Sequence, residues 1–235
     1  LRESCAAEWR NYTQRRNARV ESLGTFQGRV RDARGLDSTN GCAVIAPLIS
    51  YQHITSKQPR GASNGDIVKL VDAIVPPILA HIRAKHGLGP GSFIIPCDVH
   101  DYLYDQGAIN KDMFEGVFGG SVLDDAHINN LLNGFEAIPK QQRAACAFFF
   151  KEHVISILRV DSEYHFVDSL PGEGGGGMGT RTCCADVNVL RCYIKHYAAT
   201  KLAGQARYCD TNDWSELQAE FDPRVFQAFL WRNTP

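Results

Sequence analysis

No apolar run in this chain approaches the roughly 20 residues that a bilayer-spanning helix needs, so the sequence reads as no membrane protein. An excess of charge is missing too. The 25 Lys and Arg nearly cancel the 26 Asp and Glu, for a net charge of −1. That balance gives no electrostatic footing for nucleic acid or an anionic membrane surface. The signatures of several enzyme classes are also absent. There is no H-E-x-x-H helix. Cys183, Cys184, Cys192, His196 and Cys209 are zinc-ligand residue types, but adjacent cysteines are not the usual C-x-x-C knuckle, so no metal site is expected. The loop "PGEGGGGMGT" (171–180) lacks the Lys of a phosphate-binding loop and reads as a mobile loop instead.

What is present suits a globular protein. The 235 residues are 44% hydrophobic and 22% charged, enough for a core that needs no staples. The eight cysteines are irregularly spaced, and several sit in apolar stretches such as "AACAFFF". They read as free thiols of a reducing compartment, which places the protein inside the cell, in cytoplasm or nucleus. The chain starts at Leu rather than Met, so its natural N-terminus, with any targeting signal, is expected to be missing.

Residues 1–33 are polar and arginine-rich and read as a solvated helical extension, with one catalytic domain over 34–235. The stretch 66–86 has apolar residues at a helical period, with Asp66 as N-cap, Gly87 as stop, and Pro76 and Pro77 forcing a kink or a break. Short helices are expected over 96–107 and 123–135, each ending in Gly, then near 185–202 and at "DWSELQAEF". The segments 146–160 and 163–170 are rich in aromatic and β-branched residues and read as paired strands about a turn at 161–162. "RVFQAFLW" near the end is strand-like. A helical first half packed on an antiparallel sheet from the second half is an α+β fold.

The chemistry centres on "DSTNGCAVIAP" (37–47). Turn-formers give way to an apolar run at Cys42, placing the thiol at or near a helix start, where unpaired N–H groups favour a thiolate. Pro47 implies that the helix starts just after Cys42 or bends. His153 opens one expected strand and Asp168 closes the next, fifteen residues on. Antiparallel pairing puts the partner of His153 near 169, within reach of Asp168. A carboxylate there would fix the tautomer and leave the other ring nitrogen as a base. His165, three residues before Asp168, should face the other side of the sheet.

Cys42, then His153, then Asp168 within "HVISILRVDSEYHFVDSL" resembles the papain-like cysteine peptidases, and among them the deubiquitinating branches, Josephin domains above all. The long helical insertion between Cys and His is similar as well. The resemblance implies a papain-like fold and a thiol hydrolase that cleaves an amide or isopeptide at the C-terminus of ubiquitin or a ubiquitin-like protein. It implies no cofactor. Cys42 would attack, His153 would move the proton and Asp168 would orient it. The resemblance also points to a Gln five or six residues before the cysteine as oxyanion donor, but Leu36 and Asp37 stand there. Asn40 takes that role in this reading, or the backbone amides of Gly41 and Cys42 do. Asp101, Asp105, Asp124 and Asp125 could meet a basic peptide tail. Two other readings share the residues: an inactive module that binds ubiquitin or another protein, and a transglutaminase-like acyl transferase, whose Cys-to-His separation is usually much shorter.

Overall fold

The computed structural model describes residues 2–203 and 223–234. In chain order the elements are α1 (Arg2–Gln14), β1 (Ala18–Ser22), α2 (Cys42–Thr55), α3 (Asn64–Lys69), α4 (Val75–Lys85), α5 (Pro96–Asp105), β2 (Phe114–Ser121), α6 (Asp125–Ala137), β3 (Ala144–Phe150), β4 (His153–Val160), β5 (Glu163–Asp168), β6 (Thr180–Cys184), α7 (Val187–Lys201) and β7 (Val225–Arg232). The strands form one seven-stranded sheet in the order β1-β6-β5-β4-β3-β7-β2, and every pairing is antiparallel. The helix expected at "DWSELQAEF" lies outside the described residues.

Strand alternation sorts the apolar residues into two cores, one on each face of the sheet. Ala145, Ala147, Val154, Leu158 and Val167 join Cys42, Val44, Ile45 and Ile49 of α2 on one face. Cys146, Phe148, Ile155, Ile157 and Phe166 join residues of α6 and α7 on the other. The sheet is therefore covered on both sides, with the helices of the 42–105 region on one face only. The expected boundary at 33–34 falls after β1, which pairs with β6, and Cys5 and Trp9 of α1 are buried. The first 33 residues thus supply a strand of the sheet besides a helix.

α2 is apolar all round because it is enclosed: Cys42 to Ser50 are all buried. It runs alongside β4. Ser156 Oγ donates to Ala46 O at 2.7 Å, and His53 Nε2 lies 2.8 Å from Arg159 O. The helix begins at Cys42 itself and passes through Pro47, rather than starting after the cysteine. Its last carbonyls are capped from outside, since Arg143 donates to His53 O and Ser56 O. Arg159 does the same for α6, donating to Phe135 O at 2.6 Å and Ile138 O at 2.8 Å. Arg159 is buried and Arg143 partly so, and both satisfy carbonyls that no helix bond reaches.

Several local expectations are corrected by specific contacts. The 66–86 helix starts earlier, at a capping box in which Ser63 is the N-cap and Asp66 the third helical residue. Pro76 and Pro77 are accommodated by a π-helical turn at Leu70–Ile74, which widens the helix just where their rings would meet the carbonyls one turn back. Gly134 lies inside α6 rather than ending it. A Cβ there would sit 2.5 Å from Phe118 Cζ, so the glycine serves helix-to-strand packing. The apolar stretch 146–160 is two strands, divided by a tight turn at Lys151 and Glu152.

Candidate active site

Three elements converge at one end of the sheet. β4 and β5 are neighbours near its middle, and α2 lies along β4 with its N-terminus at the end where β4 begins. Cys42 is the first residue of α2, with Gly41 as N-cap and no side chain capping the first turn. The helix dipole and open N–H groups there favour negative charge. Asn40, at φ 55°, turns the chain sharply into Gly41 and Cys42.

His153 is the first residue of β4 and pairs with Phe150 across the turn. Lys151 (φ 49°) and Glu152 (φ 61°) both adopt the left-handed region, the signature of a two-residue type I′ hairpin. Neither is glycine, so the turn is held at some conformational cost beside the histidine. His153 Nε2 lies 2.6 Å from Asp168 Oδ1, and both residues are buried. The same Oδ1 accepts from Leu170 N at 2.8 Å. Burial opposes the imidazolium, but the hydrogen bond to Asp168 and interaction with the Cys42 thiol outweigh it, raising the His153 pKa to about 9. With Nε2 engaged by Asp168, Nδ1 is the ring nitrogen left for the thiol. Behind the carboxylate, Tyr197 of α7 packs on Phe166 with ring centroids 5.0 Å apart, and its phenol interacts with Asp168.

His165 lies on the sheet face of Val167 and α2, opposite Phe166 and, by alternation, Asp168. Its Nε2 lies 3.0 Å from Glu163 Oε2, and Arg181 Nε donates to its Nδ1 at 2.9 Å. It therefore belongs to a structural charge network. The register of β4 on β5 is one residue further along than expected, with Ser156 opposite Val167.

Asn40 Nδ2 donates to Gly91 O at 2.7 Å, so this amide ties two loops together. Another amide sits close by. Gln27 is buried, its backbone N–H donates to Ser169 O at 2.9 Å, and its Oε1 accepts from Ser169 Oγ at 3.1 Å. Gly28 N donates to Ser38 Oγ, and Gly41 N donates to Ser38 O, both at 2.9 Å. These bonds join the Gln27 segment to both the cysteine turn and the Asp168 segment. With its oxygen held by Ser169, Gln27 directs its NH₂ end elsewhere. The family resemblance implied a Gln five or six residues before the cysteine; Gln27 is fifteen before it, across the loop at 29–36.

The glycine-rich loop is closed by its own backbone hydrogen bonds and tied to the segment at Thr25. Gly172 N donates to Met178 O at 3.2 Å, Met178 N to Gly175 O at 3.2 Å, and Gly179 N to Thr25 O at 2.8 Å. A Cβ on Gly179 would sit 2.7 Å from Asp168 O, so the loop backs directly onto the acid. Cys146, Cys183, Cys184 and Cys192 are buried, and burial pushes each of these thiols up, away from reactivity. Among the described residues no three His, Cys, Asp or Glu are placed to hold a metal ion, and no helix is long and apolar enough to cross a membrane.

No family model matches the chain, and no curated protein matches its sequence. The fold has solved counterparts. It is similar to that of the ubiquitin-specific protease encoded by a murine cytomegalovirus tegument protein, determined in complex with a ubiquitin-based suicide substrate. The TM-score is 0.53 with 8% sequence identity, over 90% of this chain and 84% of that one. The architecture, a mixed α/β fold on an antiparallel sheet, is thus shared with a ubiquitin-specific protease.

Proposed function

We propose that this chain is a papain-like thiol hydrolase that cleaves an amide or isopeptide bond at the C-terminus of ubiquitin or a ubiquitin-like protein. One observation carries the reading: a histidine held 2.6 Å from a buried carboxylate interacts with a cysteine at the first position of a buried helix. Helix start and imidazolium both favour the thiolate. The ubiquitin part of the reading is supported by the fold similarity together with the sequence resemblance; Josephin domains are the branch to which the sequence points.

In this mechanism the Cys42 thiolate attacks the carbonyl carbon, and charge develops on the carbonyl oxygen. The backbone N–H of Cys42 and a side-chain amide hold that oxygen. Asn40 was the sequence candidate, but its Nδ2 already has Gly91 O as acceptor, which favours Gln27 as the donor. His153 then gives its proton to the leaving amine. Water, deprotonated by His153, hydrolyses the thioester and frees Cys42. Asp168 keeps Nε2 engaged throughout, and no cofactor enters any step.

Ubiquitin bearing a C-terminal electrophile tests the reading. The expected result is one covalent adduct that maps to Cys42 and disappears in Cys42→Ala. Tight binding without capture would instead identify a non-catalytic binding module.

A further inference from the structure

Phe93 and Ile95 are 60% and 65% exposed, while Ile94 between them is 6% exposed and Pro96 is buried. Such alternation means an extended segment pinned by Ile94, with the two large apolar side chains displayed outward. The display is also tied to the cysteine turn. Arg83, itself 6% exposed, donates from Nε to Ser92 O at 3.0 Å and from Nη2 to Thr39 O at 2.7 Å. Asn40 Nδ2 reaches Gly91 O. Three hydrogen bonds thus tie Gly91 and Ser92, just before the displayed residues, to residues 39–40, immediately before Cys42.

α5 continues from Ile95. Its buried face is Val99, His100, Tyr102 and Leu103, and its solvent stripe is Cys97, Asp101 and Asp105. Among the described residues neither Asp101 nor Asp105 is in an ion pair. Two exposed apolar side chains followed by an acidic stripe that forms no ion pair among the described residues are complementary to one kind of surface, an apolar patch bordered by Lys or Arg.

We infer that Phe93, Ile95 and the Asp101–Asp105 stripe dock the folded body of the protein substrate, through an apolar patch with basic neighbours on that substrate. The inference rests on the hydrolase reading above and adds where the substrate is held. Docking at a distance from the scissile bond changes substrate affinity without changing the chemistry of Cys42.

The test is steady-state hydrolysis of ubiquitin carrying a C-terminal fluorophore amide, by wild type and by the double variant Phe93→Ser with Ile95→Ser. Both positions are exposed, so folding is not at stake. KM should rise about tenfold or more, because truncating apolar anchors at an interface centre removes most of their binding energy. Both kcat and the rate of Cys42 alkylation by iodoacetamide should stay at wild-type values. Asp101→Lys should raise KM as well, and more so at low salt. An unchanged KM in the double variant would overturn the docking inference and leave the hydrolase reading standing. A fall in kcat and alkylation rate at constant KM would overturn it too, by assigning the segment a purely structural role. Absence of turnover by wild type would overturn both.

Discussion

His153 Nε2 and Asp168 Oδ1 stand 2.6 Å apart although no sheet pairing links the two residues. The ladder between β4 and β5 stops at Ser156 and Val167, while His153 pairs with Phe150 and Asp168 with Thr180. Beyond the last pair the two strands are linked by these side chains. A contact so placed lies at the rim of the sheet, where the N-terminus of α2 can join it.

Asp168→Asn should therefore keep the geometry and lose the charge. The amide oxygen can still accept from His153 and from Leu170 N, which the carboxylate Oδ1 does now. Turnover should fall roughly ten- to a hundredfold, less than for the buried acid of a serine triad. The basic limb of the pH profile should move down from near 9, because Asp168 is a main cause of the raised His153 pKa. A loss as complete as that in Cys42→Ala would show that the charge matters far more than the orientation.

The two strand histidines should separate cleanly. His153→Ala should abolish turnover. His165→Ala should keep turnover, but it removes the acceptor for Arg181 Nε and strips a partner from Glu163. An orphaned buried donor costs about 1–3 kcal/mol, readable as a shift in the urea midpoint. An inactive yet folded His165→Ala protein would contradict these assignments.

Gln27 and Asn40 make competing claims on the oxyanion. Gln27→Ala should lower kcat by two to three orders of magnitude with little change in KM, the behaviour of a donor used only in the transition state, worth about 3–4 kcal/mol. Asn40→Ala should act first on stability, since φ 55° disfavours alanine and the Gly91 tie is lost. Asn40→Gly removes the same amide while tolerating that φ. Full turnover in Gln27→Ala alongside a large kcat loss in Asn40→Gly would reverse the assignment.

What the sequence made legible follows from where the information lies. The ends of β4 and β5, with His153 and Asp168 at their tips, are marked by local β-branched runs and the Asp161 turn. The start of α2 is marked by the Ser-Thr-Asn-Gly stretch ahead of it. The β3–β4 turn was hidden because Lys151 and Glu152 carry no turn chemistry, and hairpin pairing rather than residue preference forces their positive φ. Gly134 looked like a helix stop because the ring that needs its space, Phe118, comes from a different element. Gln27 was missed for the same kind of reason: its partner Ser169 is 142 residues away. Contact with a distant segment, not local propensity, decided the last two of these.

Protonation should shape stability from both sides of neutrality. The His153 pKa is raised to about 9 in the folded protein, above the ordinary value of 6.5. Its contribution is thus fully present below about 6.5 and is lost as pH rises through 9, since the folded state holds a proton that the unfolded chain releases. His53 and His100 act in the opposite sense. Burial lowers each to about 4, so both stay neutral in the fold, and stability is lost as pH falls from 6.5 toward 4 while the unfolded chain takes up their protons. Urea unfolding between pH 4 and pH 9.5 should therefore give a maximum near neutrality for wild type. In His153→Gln the alkaline decline between 6.5 and 9 should flatten while the acid decline persists. An alkaline limb identical in wild type and variant would mean that His153 is not held as the imidazolium, and the thiolate pair with Cys42 would lose its electrostatic basis.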